Sequence, residues 1–283
     1  MLSVISAEAM KFTRHRATWG LVWIWPIGII LIGLIAIGVG LANPEGGGEA
    51  EATAAGWIAS NVGFWQTPGH AFGRYLIGAF VAVVFAGEYG WNTWKLIVPH
   101  RARTTLLAAK YVVAVLLVFA GFALAALLFN AVGVTEDVLT GDPIPSGISV
   151  GAVAQAHALG ALAALVPIVL TVGYVSLAAI LTRSTVAALV IGLIYTTLEQ
   201  VFRGLAPMFE PYAPALVHSV YRVAPGYHLA NIHQWITQGT IFEMPFAAGP
   251  ISTQPGTSFA IVGAWTLLVI GLTFWAFRRQ DIN

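Results

Sequence analysis

The chain has 283 residues, of which 58% are hydrophobic and only 9% charged, with a formal net charge of +1. Soluble domains carry about a quarter charged residues, so this sequence lacks the polar side chains to cover a water-facing surface and reads as an integral membrane protein. Its basic residues form no single patch for nucleic acid, and the absence of cysteine excludes disulfides, thiolate catalysis and Cys-ligated metals.

In chain order, residues 1–17 predict an amphipathic helix lying on a membrane surface. Leu2, Ile5, Ala9 and Phe12 share one face, while Glu8, Lys11, Arg14 and His15 occupy the rest, with Arg16 at its end. Basic residues near anionic lipid each contribute about 1 kcal/mol to that placement. A bilayer core needs roughly 20 apolar residues in a helix. Six runs reach or approach that length: Trp19–Leu41, Phe72–Ala86, Leu106–Val134, Val153–Leu181, Val186–Ala206 and Phe259–Phe277. Gly40-Leu41-Ala42 loosely matches a cleavage site, but the run before it is too long for a signal peptide, so an uncleaved first span is expected. Pro26 and Pro167 are expected to kink the first and fourth spans. Small residues in the third and fourth allow close helix packing. The fold class expected is all-α, one transmembrane domain over residues 1–283.

The connections are unequal. Residues 42–71 begin as NPEGGGEAEATAAG and end in the aromatic WIASNVGFWQTPG, which suits an interface. Residues 135–152 carry turn signals at Gly141-Asp142-Pro143 and Pro145. Only Thr182-Arg183-Ser184 separates the fourth and fifth spans, which predicts an antiparallel pair. In residues 207–256, PGYHLANIHQWITQG sets Tyr227, Ile232, Trp235 and Ile236 at helical spacing and predicts one or two short amphipathic helices at the outer interface. With the N-terminus inside, ten basic residues fall on the inner face (Lys11, Arg14, Arg16, Lys95, Arg101, Arg103, Lys110, Arg183, Arg278 and Arg279). Only Arg74, Arg203 and Arg222 fall outside, with Glu45, Glu49, Glu51, Glu136, Asp137, Asp142, Glu210 and Glu243. Such a bias places both termini in the cytoplasm of a multi-pass cell-membrane protein.

Residues 87–110, GEYGWNTWKLIVPHRARTTLLAAK, concentrate charge between the second and third spans. Burying Lys95, Arg101 or Arg103 at mid-membrane would cost about 2.5–3.5 kcal/mol each, so residues 87–105 are expected on the inner face. Trp91 and Trp94 suit the interface, and Pro99 ends any helix there. Glu88, Thr93, Leu96, Pro99, Arg101, Arg103 and Lys110 fit a pattern that resembles the ABC-2 exporter permeases. In that family a glutamate is followed by G-T-x-x-x-L-L-x-x-P-x-x-R and a lysine at the start of the third span. Trp91-Asn92 stand where a glycine is common.

The resemblance implies an N-terminal elbow helix (Lys11, Phe12, Arg14 and Arg16), short re-entrant helices before the last span, and a basic C-terminal end from Arg278 to Ile282. It implies that residues 87–105 form a coupling helix, with Glu88, Thr93, Trp94, Lys95, Pro99, Arg101 and Arg103 serving a cytoplasmic ABC ATPase subunit. That separate chain would bind ATP and Mg, for which this chain has no Walker motif. A second permease chain, as a homodimer, membrane lipid and a prokaryotic setting follow from the same resemblance. No residue here would do covalent chemistry or hold a metal.

The fifth span contains Thr196, Thr197, Glu199, Gln200 and Arg203. Glu199 lies about 20 Å along the helix from Val186. It either pairs with Arg203 at i, i+4 or lines a pathway, the default reading of an intramembrane ionisable group. Glu199 and Arg203 also partly match the E-E-x-x-x-R motif of CPBP-type intramembrane proteases, with Leu198 in the first glutamate position. An intramembrane metal-dependent hydrolase using Glu199 and His157, His218, His228 or His233 is therefore one alternative. A non-transporting accessory subunit is another.

Overall fold

The computed structural model describes residues 1–42, 53–90, 93–247 and 249–281. Glu45, Glu49, Glu51, Trp91, Asn92 and Ile282 lie outside the described residues. Among those described the chain is helical, apart from one antiparallel bridge between Met244 and Ile251.

Helix α1 (Leu2–Arg14) leads through His15 into α2 (Arg16–Leu21) and α3 (Ile24–Ala42). The face that α1 buries keeps Phe12, with Ile5 and Ala9 packed against the core as expected, but it extends to Val4 and Glu8 and leaves Leu2 exposed. Glu8 leaves the polar side because α1 packs on α7 (Arg103–Thr140), where Lys110 reaches it at 3.1 Å. Between α2 and α3 the helix opens at Val22 and Trp23, upstream of Pro26. Pro26 has no N–H for the Val22 carbonyl. That carbonyl faces Gly121 of α7, where a Cβ would come within 3.0 Å of it. Gly33 of α3 meets Val132 of α7 as closely, so small residues set the spacing of this pair.

Helix α4 (Ala54–Asn61) and the tight helix Gly63–Gly69 precede α5 (Ala71–Gly90). Trp65 is buried, stacks on Phe119 of α7, and donates its indole N–H to His157 Nδ1 at 2.9 Å. After α5 come the short α6 (Thr93–Ile97) and a single tight turn Val98–His100, so the helix stops before Pro99 as expected. Helix α7 spans 38 residues, about 57 Å at ~1.5 Å per residue. It therefore outlasts the expected end at Val134 and closes on Gly141, whose φ of +82° is left-handed.

Helix α8 (Val150–Thr182) continues through Pro167 and forms the centre of the bundle with α5. Arg183 takes a left-handed φ of +54°, and Ser184 Oγ accepts the Ala187 N–H at 3.3 Å. The chain thus turns back into α9 (Thr185–Phe209), which packs on α5 and α8. Two helices, α10 (Pro214–Val223) and α11 (Pro225–Gln238), fill the long connection before α12 (Pro255–Arg279). Tyr227 and Ile232 are buried as their spacing implies, but Trp235, in the last turn of α11, is exposed. The protein is all-α, and among the described residues six helical segments, Arg16–Ala42, α5, α7, α8, α9 and α12, are long and apolar enough to cross a membrane.

Candidate functional site

Among the described residues, two clusters of oppositely charged side chains are buried near the ends of α5. At the first, Glu88 in the last turn of α5 is 1% exposed and accepts from Lys110 Nζ at 2.8 Å. Lys11 of α1 also pairs with Glu88, and Lys110 reaches Glu8 of α1 and the Val84 carbonyl, each at 3.1 Å. Placing two ammonium groups against two carboxylates leaves the cluster neutral, the condition under which such deep burial is tolerable. Three rings complete the cage, with Lys110 Nζ 4.9 Å from the Phe12 centroid, 5.4 Å from Trp94 and 5.9 Å from Phe85, within cation–π range. His15 holds the neighbouring corner by accepting the Ala17 N–H on Nδ1 at 3.0 Å. Burial, followed by the charge of Lys11, lowers the His15 pKa and keeps that nitrogen free to accept.

The segment 93–103 has two faces. Thr93 donates to the Glu88 carboxylate, and Trp94 is buried against Phe277, 4.6 Å between centroids. Lys95, Leu96, Pro99, His100 and Arg101 are exposed. Arg103 belongs to neither face: its Nη1 donates to the carbonyls of Phe277, Arg278 and Gln280 at 3.2, 3.0 and 2.6 Å. It thereby closes the end of α12, satisfying orphan carbonyls. In α1, Lys11 and Phe12 point into the cluster, whereas Arg14 and the following Arg16 are exposed.

At the other end of α5, Arg74 is 1% exposed and forms a bidentate pair with Glu199 of α9, with Nη2 to Oε2 at 3.2 Å. Its Nε donates to Thr171 Oγ1 at 3.1 Å and its Nη2 to the Tyr174 hydroxyl at 3.2 Å, both on α8. Tyr174 in turn bonds Thr196, and Tyr75 bonds Thr197 at 2.7 Å. This corrects the local pairing of Glu199 with Arg203. The carboxylate turns toward α5 because the desolvated guanidinium there fits it bidentately, and Arg203 bonds Gln200 Oε1 at 2.8 Å instead. Of the five residues singled out in α9, Thr196 and Glu199 are buried and bonded to α8 and α5, Gln200 and Arg203 are half-buried, and Thr197 is exposed beside Tyr75 of α5.

The four histidines considered for a metal lie on α8, α10 and α11. His228 sits between Ser258 and the Arg222 carbonyl at 2.9 and 2.7 Å, and His218 pairs with Glu210 at 2.9 Å. His157 accepts from Trp65. Among the described residues no three His, Asp or Glu side chains are placed to hold a metal, so Glu199 and the histidines do not assemble the hydrolase site.

Arg74 and Glu8 were missed from sequence. For Arg74 a signal existed: it stands four residues into an apolar segment that would need a carboxylate, and Glu199 is the acid deepest within another. No curated protein matches the chain. A profile described as ABC-2 family transporter protein matches residues 4–199, more than half of the chain and including both charge clusters. The chain belongs to the ABC-2 transporter family, as a membrane-spanning protein.

Proposed function

We propose that this chain is the permease subunit of an ATP-driven exporter. It works as a pair of identical chains in a prokaryotic cell membrane, both termini cytoplasmic, each docked to a separate ABC ATPase that binds ATP and Mg. The observation that carries this reading is the two-faced segment after α5. Its bare side (Lys95, Leu96, Pro99, His100 and Arg101) is free to meet a partner. Its inner side is wired through Thr93 and Glu88 to Lys110 and Lys11. A push on α6 thus reaches α1, α5 and α7 through buried contacts. Fourteen residues up α5, about 21 Å at ~1.5 Å per residue, Arg74 passes the displacement to Glu199 on α9.

Coupling of this kind needs a contiguous element that both sites bias, and α5 is that element. The pathway is assigned to Thr196, Glu199, Gln200 and Arg203 on the packed side of α9, with Thr197 at its exposed edge. The opposite side of α9 exposes Val190, Ile194, Leu198, Val201 and Leu205, and this stripe is assigned to lipid and the second copy.

Because the chain lacks cysteine, single cysteines report contacts cleanly. With a partner ABC ATPase co-expressed, Leu96→Cys and His100→Cys should cross-link in the membrane, while the buried Trp94→Cys should not. Absence of any cross-link from the exposed positions, with both proteins present, would sink the docking assignment.

A further inference from the structure

A cavity of about 250 Å³ lies between the tight helix Gly63–Gly69, the middle of α8, the end of α9 and α11. Its wall carries Arg203, His70 and His233 together with the amides of Gln66, Gln234 and Gln238, and no carboxylate. Among the described residues Arg203 makes no ion pair. Gln200 orients it, accepting from Nη2 at 2.8 Å while donating to the Gly69 carbonyl at 3.0 Å, next to His70. Glu199 is engaged by Arg74 and Glu210 by His218 and the Ala247 N–H, while Glu243, beside Phe242 of the wall, is exposed. His70 and His233 have pKa values below the ordinary range, first from burial. The charge of Arg203 then acts on His70, and His70 on His233, so the three groups face one another.

A second cavity of about 300 Å³ adjoins the first through Trp65, Gln66, His233 and Gln238. It continues between α4 and α8 along Ala55, Ile58, Val62 and Leu159, and is mainly apolar.

We propose that the two adjacent cavities, which share Trp65, Gln66, His233 and Gln238 in their walls, bind an amphiphile with an anionic head. Arg203, His70 and His233 receive a phosphate or carboxylate, and the cavity between α4 and α8 receives the first part of an apolar tail. A guanidinium without a counter-ion presents a planar fork that matches such oxyanions. Convergent polar groups beside an apolar chamber are the usual build of a ligand site. The inference concerns binding alone and stands apart from ATPase docking and the direction of transport.

The test is native mass spectrometry of the purified chain, titrated with short-chain phosphatidylglycerol, matching phosphatidylcholine and inorganic phosphate. Phosphatidylglycerol should be retained about tenfold over phosphatidylcholine, which offers the same phosphate but brings a choline cation that Arg203 repels. Arg203→Gln should abolish the preference and His233→Gln weaken it, whereas Arg222→Gln, on the exposed side of α10, should leave it intact. His70→Gln serves if Arg203→Gln does not fold. Equal retention of the two lipids, or a preference that survives both Arg203→Gln and His233→Gln, would overturn the site. Displacement of the lipid by equimolar inorganic phosphate would overturn the amphiphile and leave a bare oxyanion site.

Discussion

Lys110→Met removes the charge at the centre of the first cluster while keeping most of its volume. The substitution leaves Glu88 and Glu8, 1% and 7% exposed, with Lys11 as the remaining base. Breaking a buried pair from one side costs about 3–5 kcal/mol, because the abandoned charge stays desolvated. Lys11 still neutralises Glu88, and its side chain is 32% exposed, so water can approach and the lower end, about 3 kcal/mol, applies. Three lost ring contacts act in the same direction. On the scale of domains of 150–250 residues, this lowers Tm by roughly 6–12 °C. Thermal unfolding of the detergent-purified protein, followed by fluorescence, measures it. Adding Glu8→Gln removes an acid whose ion pair, among the described residues, is with Lys110 alone, and should recover about half of the loss. A Lys110→Met protein that melts within about 1 °C of the parent, or a double variant no better than the single, would refute the argument that these charges are desolvated and mutually dependent.

At the other end of α5, Glu199→Gln should cost about 3 kcal/mol by leaving Arg74 buried without its carboxylate. Adding Arg74→Met should restore part of that loss, and a double-mutant cycle with a coupling below about 0.5 kcal/mol would contradict the pair. Export at the parental rate by Glu199→Gln would end the pathway reading of that residue. Gly73→Ala places a Cβ 2.0 Å from the Thr67 carbonyl oxygen, so it should lower Tm by several degrees, about 1–3 kcal/mol. Gly204→Ala, with nothing within 4 Å, should raise stability by up to about 1 kcal/mol; equal Tm values for the two would overturn the close approach. Arg103→Gln frees three carbonyls at the end of α12, so limited trypsin digestion should cut sooner at Arg278 or Arg279 while ATPase co-purification is retained. Lost co-purification with unchanged digestion would make Arg103 a docking contact.

Hydropathy was enough to place all six long helices, because an apolar run of bilayer length has few other folds open to it. Helix ends were less legible. Helix α7 runs on to Thr140 because nothing in VTEDVLT breaks a helix before Gly141. The charge-rich segment was recognisable from Glu88, Pro99, Arg101 and Lys110, yet its inward half was not. Whether Glu88 faces solvent or Lys110 depends on how α5 and α7 rotate against each other. Local rules failed where a distant partner was better. The i, i+4 spacing proposed Arg203 for Glu199, but Arg74 arrives from 125 positions away with a bidentate fit. Glu8 reads as the polar side of an amphipathic helix until Lys110 appears beside it. The cavity of Arg203, His70 and His233 joins three separate elements, and no sequence window contains it.

The central claim is that an ATPase drives this permease through the exposed half of the segment after α5. The direct measurement is ATPase activity of the reconstituted complex in liposomes, comparing the parent with Lys95→Glu/Arg101→Glu. Both side chains are exposed and make no ion pair among the described residues, so Tm should hold within about 1 °C, as for surface substitutions. The account predicts that co-purification and permease-stimulated ATPase activity fall about tenfold or more, as when charge complementarity at an interface is reversed. Parental activity and undiminished co-purification from the charge-reversed protein would contradict it.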